Sequence, residues 1–138
     1  MPLAVGTAVF LGACGDSTDA VSEGDATEEP SDELVERYQA MMNLHDEVMP
    51  LNAEIARTER AITEAGLDGE GAAFAKTRLA RASDDMMTWM YNDEPLDAMH
   101  ERLGATTAAE HLRIREKEIR AIGDSMRVAI AYGQSLLK

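Results

Sequence analysis

Apolar positions recur at helical spacing from residue 34 onward, with no runs of strand-like alternation. Leu34, Tyr38, Met41, His45, Val48, Asn52, Ile55 and Ile62 form a near-heptad seam on a first helix predicted from Asp32 to Ala65. Asp32 and Glu33 favour its positive end, and Gly66 is a natural stop. Pro50 falls inside the pattern and should kink the helix, because proline has no amide N–H to give to the preceding turn. The run Gly66-Leu67-Asp68-Gly69-Glu70-Gly71 reads as a loop. A second helix is predicted from Ala72 to Asn92, with Phe74, Leu79, Ala82, Met86, Trp89 and Met90 turned inward. Asp93-Glu94-Pro95 interrupts it, a further helical piece reaches Leu103, and Gly104 ends that piece. Thr107-Ala108-Ala109-Glu110 fits a capping box and should open a third helix. The buried stripe of that helix is Leu112, Ile119, Ile122, Met126, Ala129, Ile130 and Leu137. Short loops make neighbouring helices antiparallel. The expected fold is therefore an all-α, antiparallel three-helix up-down-up bundle over residues 32–138, interrupted near Pro50 and Pro95.

The first thirty residues have a different character. A short apolar stretch, Pro2 to Phe10, precedes Leu11-Gly12-Ala13-Cys14, and Cys14 is the only cysteine. The stretch is shorter than the ~20 residues of a membrane-spanning helix and matches a signal-peptide core of ~7–15 residues. With small residues before the cysteine, it resembles a bacterial lipobox. Residues 1–13 are then a lipoprotein signal peptide, and Cys14 is the lipidation site at the mature N-terminus. No Lys or Arg precedes the apolar stretch, which points to a start codon upstream of Met1. Residues 14–31 are expected to form a disordered acidic tether, since acidic and small polar residues bury too little apolar surface to offset the entropy of ordering. A lone cysteine also excludes an internal disulfide.

Charge sharpens this division. The chain carries a net charge of −13, from 26 acidic and 13 basic residues. Eight of the acidic residues lie between Gly15 and Glu33, so 18 acidic residues face 13 basic ones in the rest. That balance supplies no basic face for nucleic acid. The sequence has no Gly-rich phosphate loop, no His-Glu-x-x-His and no nucleophile-elbow serine, and it is read as non-enzymatic.

Candidate chemistry lies in the methionines, of which there are nine against two Phe and one Trp. Met42, His45 and Met49 share one face of the first helix at spacings of three and four, and Met86 and Met90 share one face of the second. Antiparallel pairing about residue 68 or 69 brings both groups to one height, with Met49 level with Met87 or Thr88 and His45 level with Tyr91. Trp89 joins them there, and the third helix supplies Ile119 and Ile122 at that height. Thioethers with an imidazole are soft ligands suited to Cu(I). His45, Met42, Met49, Met86, Met87 and Met90 are the expected ligands, with Trp89 beside the ion for a cation–π contact. The competing reading is a Met-rich core with no ligand, because methionine fills irregular gaps and packs well on aromatics. His100 and His111, with Met99, Glu101 and Glu110, form a weaker second metal candidate near the second turn.

At His45-Asp46-x-x-Met49-Pro50 and Met86-Met87-x-Trp89-Met90, the chain resembles a group of small bacterial lipoproteins with a lipobox, a polar tether and a helical domain of this size. The resemblance implies a lipid-anchored protein of the cell envelope, periplasmic or surface-exposed, and it carries over no active-site residues. The expected partners are the membrane, through the lipid, and an envelope protein or a second copy of the chain. The polar positions Asn52 and Glu59 on the first helix would suit a self-associating coiled coil.

Overall fold

The computed structural model describes residues 28–138. The expected signal peptide over residues 1–13, Cys14 and the tether as far as residue 27 lie outside the described residues. The described residues are helical, with no strand among them. Five helices follow in order: α1 (Asp32–Val48), α2 (Pro50–Glu64), α3 (Glu70–Tyr91), α4 (Leu96–Leu103) and α5 (Ala105–Ser135).

Local chemistry sets most of these boundaries. Ser31 has extended backbone and its hydroxyl accepts the Leu34 amide at 3.3 Å, which caps α1 ahead of Asp32 and Glu33. The expected long first helix is two helices that meet at Met49. Met49 keeps helical dihedrals, φ −50° and ψ −42°, and still donates to the His45 carbonyl at 2.9 Å. Pro50 then opens α2 at its first position, where a missing N–H is harmless. The chain of α2 ends in a Schellman turn: Leu67 N–H reaches the Ile62 carbonyl at 3.3 Å and Gly66 N–H the Thr63 carbonyl at 3.0 Å. That turn needs the left-handed backbone that Gly66 supplies at φ 65°.

The start of α5 departs from the expected capping box. The helix begins at Ala105 directly after Gly104, and no side chain caps it. Gly104, at φ 75°, turns the chain between α4 and α5, so Thr107 lies inside the first turn. Glu110 pairs instead with Arg113, at 2.7 and 2.9 Å.

α5 packs against each of the other four helices. The α1–α2 limb faces the core with Leu34, Met41, Val48, Ile55 and Ile62, a strict seven-residue repeat that Pro50 does not shift. Tyr38, His45 and Asn52 flank that seam and are half-buried. The core side of α3 is Ala72, Ala75, Leu79, Ala82, Met86 and Trp89, and α4 adds Met99. Met90 and Ile122 are half-buried, and two expected core positions are exposed. Phe74 is 52% exposed, because it sits on the flank of α3, where its ring meets Tyr132 edge-on with centroids 5.5 Å apart. Leu137 lies past the end of α5 and is exposed.

Two buried glycines let α5 approach the first limb. A Cβ at Gly123 would stand 2.9 Å from Val48 Cγ2, and one at Gly133 would stand 2.7 Å from Thr58 Cγ2 and 3.3 Å from Ile62 Cδ1. Val48 and Thr58 are β-branched and have little freedom to move aside. Gly71 is different, with nothing nearer than 3.8 Å to its Cβ position. Alanine substitution should therefore have opposite signs at two helical glycines. Gly133→Ala should destabilise by about 1–3 kcal/mol through overpacking, which exceeds the gain in helix propensity. Gly71→Ala should stabilise by about 0.5–1 kcal/mol. Urea denaturation of both variants measures this, and equal or reversed shifts would show that α5 is not in close contact with Thr58.

Candidate functional site

Trp89 stands near the C-terminal end of α3, and its environment is built by three helices. Its indole N–H donates to the Arg115 carbonyl on α5 at 3.2 Å. Arg115 answers with its own guanidinium, which donates from Nη2 to the Trp89 carbonyl at 2.7 Å. The guanidinium carbon lies 4.0 Å from the centre of the Trp89 ring, a cation–π contact. From α1, the His45 ring stacks on Trp89 with centroids 5.6 Å apart and an interplanar angle of 18°.

Arg115 is only 5% exposed. A buried positive charge needs compensation. Asp93 approaches at 3.9 Å and Glu118 at 3.7 Å, both within ion-pair range. Burial pushes the Arg115 pKa down, and Asp93, Glu118, Glu94 and Tyr38 oppose that shift. Asp93 Oδ1 is shielded from solvent and makes no hydrogen bond among the described residues, so Arg115 holds it through charge alone. Tyr38 of α1 donates its hydroxyl to the Glu94 carbonyl at 3.4 Å. Burial, then the charge of Asp93, raises the Tyr38 pKa, which keeps that hydroxyl protonated as a donor. Glu94 pairs with Arg102 of α4, and the hydrogen bond from Arg102 lowers its pKa. The α3–α4 turn is thus tied to α1, α4 and α5 together.

The expected ligand residues do not all share one environment. His45 reaches Trp89, and its Nδ1 lies 3.1 Å from Asp46 Oδ1. Met86 is wholly buried at 0% exposure, whereas Met87 is 56% exposed. Successive residues on a helix point about 100° apart, so the two cannot both line one site between α1 and α3. Met42, Met49 and Met90 are half-buried against the core. The Met49 sulfur accepts a weak hydrogen bond from Asn52 Nδ2 at 3.8 Å, and Asn52 Oδ1 accepts from Ser83 Oγ of α3 at 3.3 Å. Asn52 therefore makes a contact inside the domain.

The expected heights were shifted by part of a turn or more. His45 meets Trp89 rather than the level of Tyr91, which is exposed. The α5 residue at Trp89 is Arg115, one turn before Ile119, because α3 ends at Tyr91 and the chain turns there instead of running straight on to Gly104. The ring face expected to meet a metal ion meets this guanidinium. At the second candidate, Met99 is buried in the core and Glu110 is bound to Arg113. Among the described residues, no three His, Cys, Asp or Glu side chains are grouped to hold a metal ion.

Arg115 was the residue that sequence reasoning passed over. It does have a signal: it stands three residues after Leu112 and four before Ile119, on the buried stripe itself. An arginine at such a position implies buried partners for its charge. No family model, curated protein or solved structure matches this chain.

Proposed function

We propose that the chain is a lipid-anchored protein of the bacterial cell envelope, in which Cys14 carries the lipid and the acidic stretch after it holds a helical domain away from the membrane. The domain has a structural or protein-interaction role and performs no catalysis. In this reading it is a three-limbed up-down-up bundle: α1 with α2, then α3, then α5. Residue pairings support that arrangement. Val48 beside Gly123 and Thr58 beside Gly133 follow one chain sense, while His45 with Trp89 and Asn52 with Ser83 follow opposite senses. No helix among the described residues is long and apolar enough to cross a membrane.

One observation carries the structural role: the Trp89 centre is already complete. Its N–H has a partner, its ring carries a fixed positive charge at 4.0 Å, and His45 stacks on it. A Cu(I) ion beside the same ring would add a second positive charge there, which low dielectric makes unfavourable. The copper reading keeps one point of support. The His45 ring and the thioethers of Met42, Met49 and Met90 are half-buried rather than sealed, so a ligand set reduced to those four residues is the form it takes.

Two experiments test this proposal. Cys14→Ser in a chain expressed from its authentic start should release the protein from membranes and abolish fatty-acid labelling. Retained membrane recovery and labelling would refute the anchor. For the site, Trp89 is the only tryptophan and reports directly. Cu(I) titration in a Cu(I)-stabilising buffer should leave its fluorescence without one-to-one quenching. Stoichiometric quenching that Met49→Leu abolishes would establish the copper reading instead. That substitution preserves volume and should lower stability by less than ~1.5 kcal/mol, so loss of quenching would report the thioether and not the fold.

A further inference from the structure

The face shared by α3 and α5 carries an apolar stripe that the domain's own core leaves uncovered. On α3, Phe74, Arg78, Arg81 and Asp85 recur at spacings of four, three and four, and they line a shallow groove floored by Ala82 and flanked by Ser125 of α5. On α5, Ile114, Ala121, Ser125 and Val128 recur at spacings of seven, four and three, and all are exposed. This is a second seam, set apart from the buried one through Leu112, Ile119 and Met126. Phe74, Ile114 and Val128 are large apolar side chains in water.

The α3 charges on this face form no ion pair among the described residues. Arg78 lies over the Phe74 ring at 5.5 Å, yet neither it nor Arg81 nor Asp85 enters an ion pair among the described residues. Arg78 and Asp85 are seven residues apart, or about 10 Å along the helix. A surface with opposite charges displaced along it is complementary to itself under a two-fold axis.

The levels of the two helices make this concrete. Phe74 meets Tyr132, and Arg81 and Ala82 share the groove with Ser125, so the helices run in opposite senses with known register. A two-fold axis crossing them between Arg81 and Ala82 and between Asp124 and Ser125 sets Arg78 opposite Asp85 of the partner copy. The same axis sets Ala121 opposite Val128 of the partner copy, small against large. One axis thus pairs Arg78 with Asp85 on α3 and packs Ala121 against Val128 on α5, while it sets Arg81 beside Arg81 of the partner copy.

We propose that the α3–α5 face is a self-association surface whose occupant is a second copy of this chain, antiparallel, with Arg78 against Asp85 and Ala121 against Val128. This deepens the interaction role proposed above. Its test is made in solution, so its failure is distinct from failure of the membrane anchor.

Sedimentation equilibrium of the full chain tests it, in a Cys14→Ser background so that neither lipid nor disulfide joins the copies. The parent should show a concentration-dependent monomer–dimer equilibrium. Arg78→Asp and Asp85→Arg should each weaken the dimer about tenfold or more by setting like charges opposite one another, with helicity unchanged. Mixing those two variants should restore association, since each then meets its opposite charge. Val128→Lys should leave a monomer. A parent that stays monomeric overturns the proposal and leaves the face to another partner or to solvent. A dimer indifferent to all three substitutions, or a mixture no tighter than its components, overturns it as well.

Discussion

Reciprocal bonding between Trp89 and Arg115 is the constraint on which the upper part of the domain depends. A guanidinium that is 5% exposed is tolerated only while its partners stay in place. Those partners come from separate parts of the chain: the Trp89 carbonyl and ring from α3, Asp93 from the turn that follows, and Glu118 from α5 itself. Keeping Asp93 near Arg115 requires α3 to stop at Tyr91 and the chain to turn toward α4. The same turn presents the Glu94 carbonyl to Tyr38 and the Glu94 carboxylate to Arg102. The Glu94–Arg102 pair is exposed and adds little stability on its own. Its role here is to fix a turn whose neighbouring carboxylate is needed inside.

The two ends of the core solve the packing problem differently. Around Trp89 the large side chains Met86, Met41 and Arg115 fill the space between helices. Toward the other end, α3 presents Ala72 and Ala75, and α5 presents Gly133 against Thr58 and Ile62. Small residues there permit close helix approach, and side-chain size at a contact sets interaxial distance. The methionines belong to this pattern. Met41, Met86, Met99 and Met126 are fully buried, and their unbranched chains fill irregular volume beside a single large aromatic.

The sequence made the helices legible because their signals are local. The repeat Leu34, Met41, Val48, Ile55, Ile62 is visible by eye, and Gly66, Pro95 and Gly104 mark ends where the backbone itself demands them. The pattern was less able to separate the centre of a stripe from its edge. Met86 and Met90 share a face at i and i+4, yet only Met86 is fully buried. Phe74 reads as core by residue type and sits at an edge for the same reason. Thr107 and Glu110 form a plausible cap, but the positive φ of Gly104 lets the helix start earlier. Arg115 was hidden by its chemistry. A charged residue is ordinarily assigned to solvent, and the partners that allow its burial are 22 residues or more away along the chain, apart from Glu118.

A double-mutant cycle between Trp89 and Arg115 tests this view of the domain most directly. Trp89→Leu removes the indole bond to the Arg115 carbonyl, Arg115→Met removes the guanidinium bond to the Trp89 carbonyl, and either one removes the cation–π contact while keeping an apolar side chain in the space. Urea denaturation followed by far-ultraviolet circular dichroism gives the stabilities of the parent, both single variants and the double variant. If the pair is the organising contact, the losses are strongly non-additive, with a coupling energy of about 1–3 kcal/mol. Losses that add to within about 0.5 kcal/mol would mean that Trp89 and Arg115 are buried side by side without depending on one another.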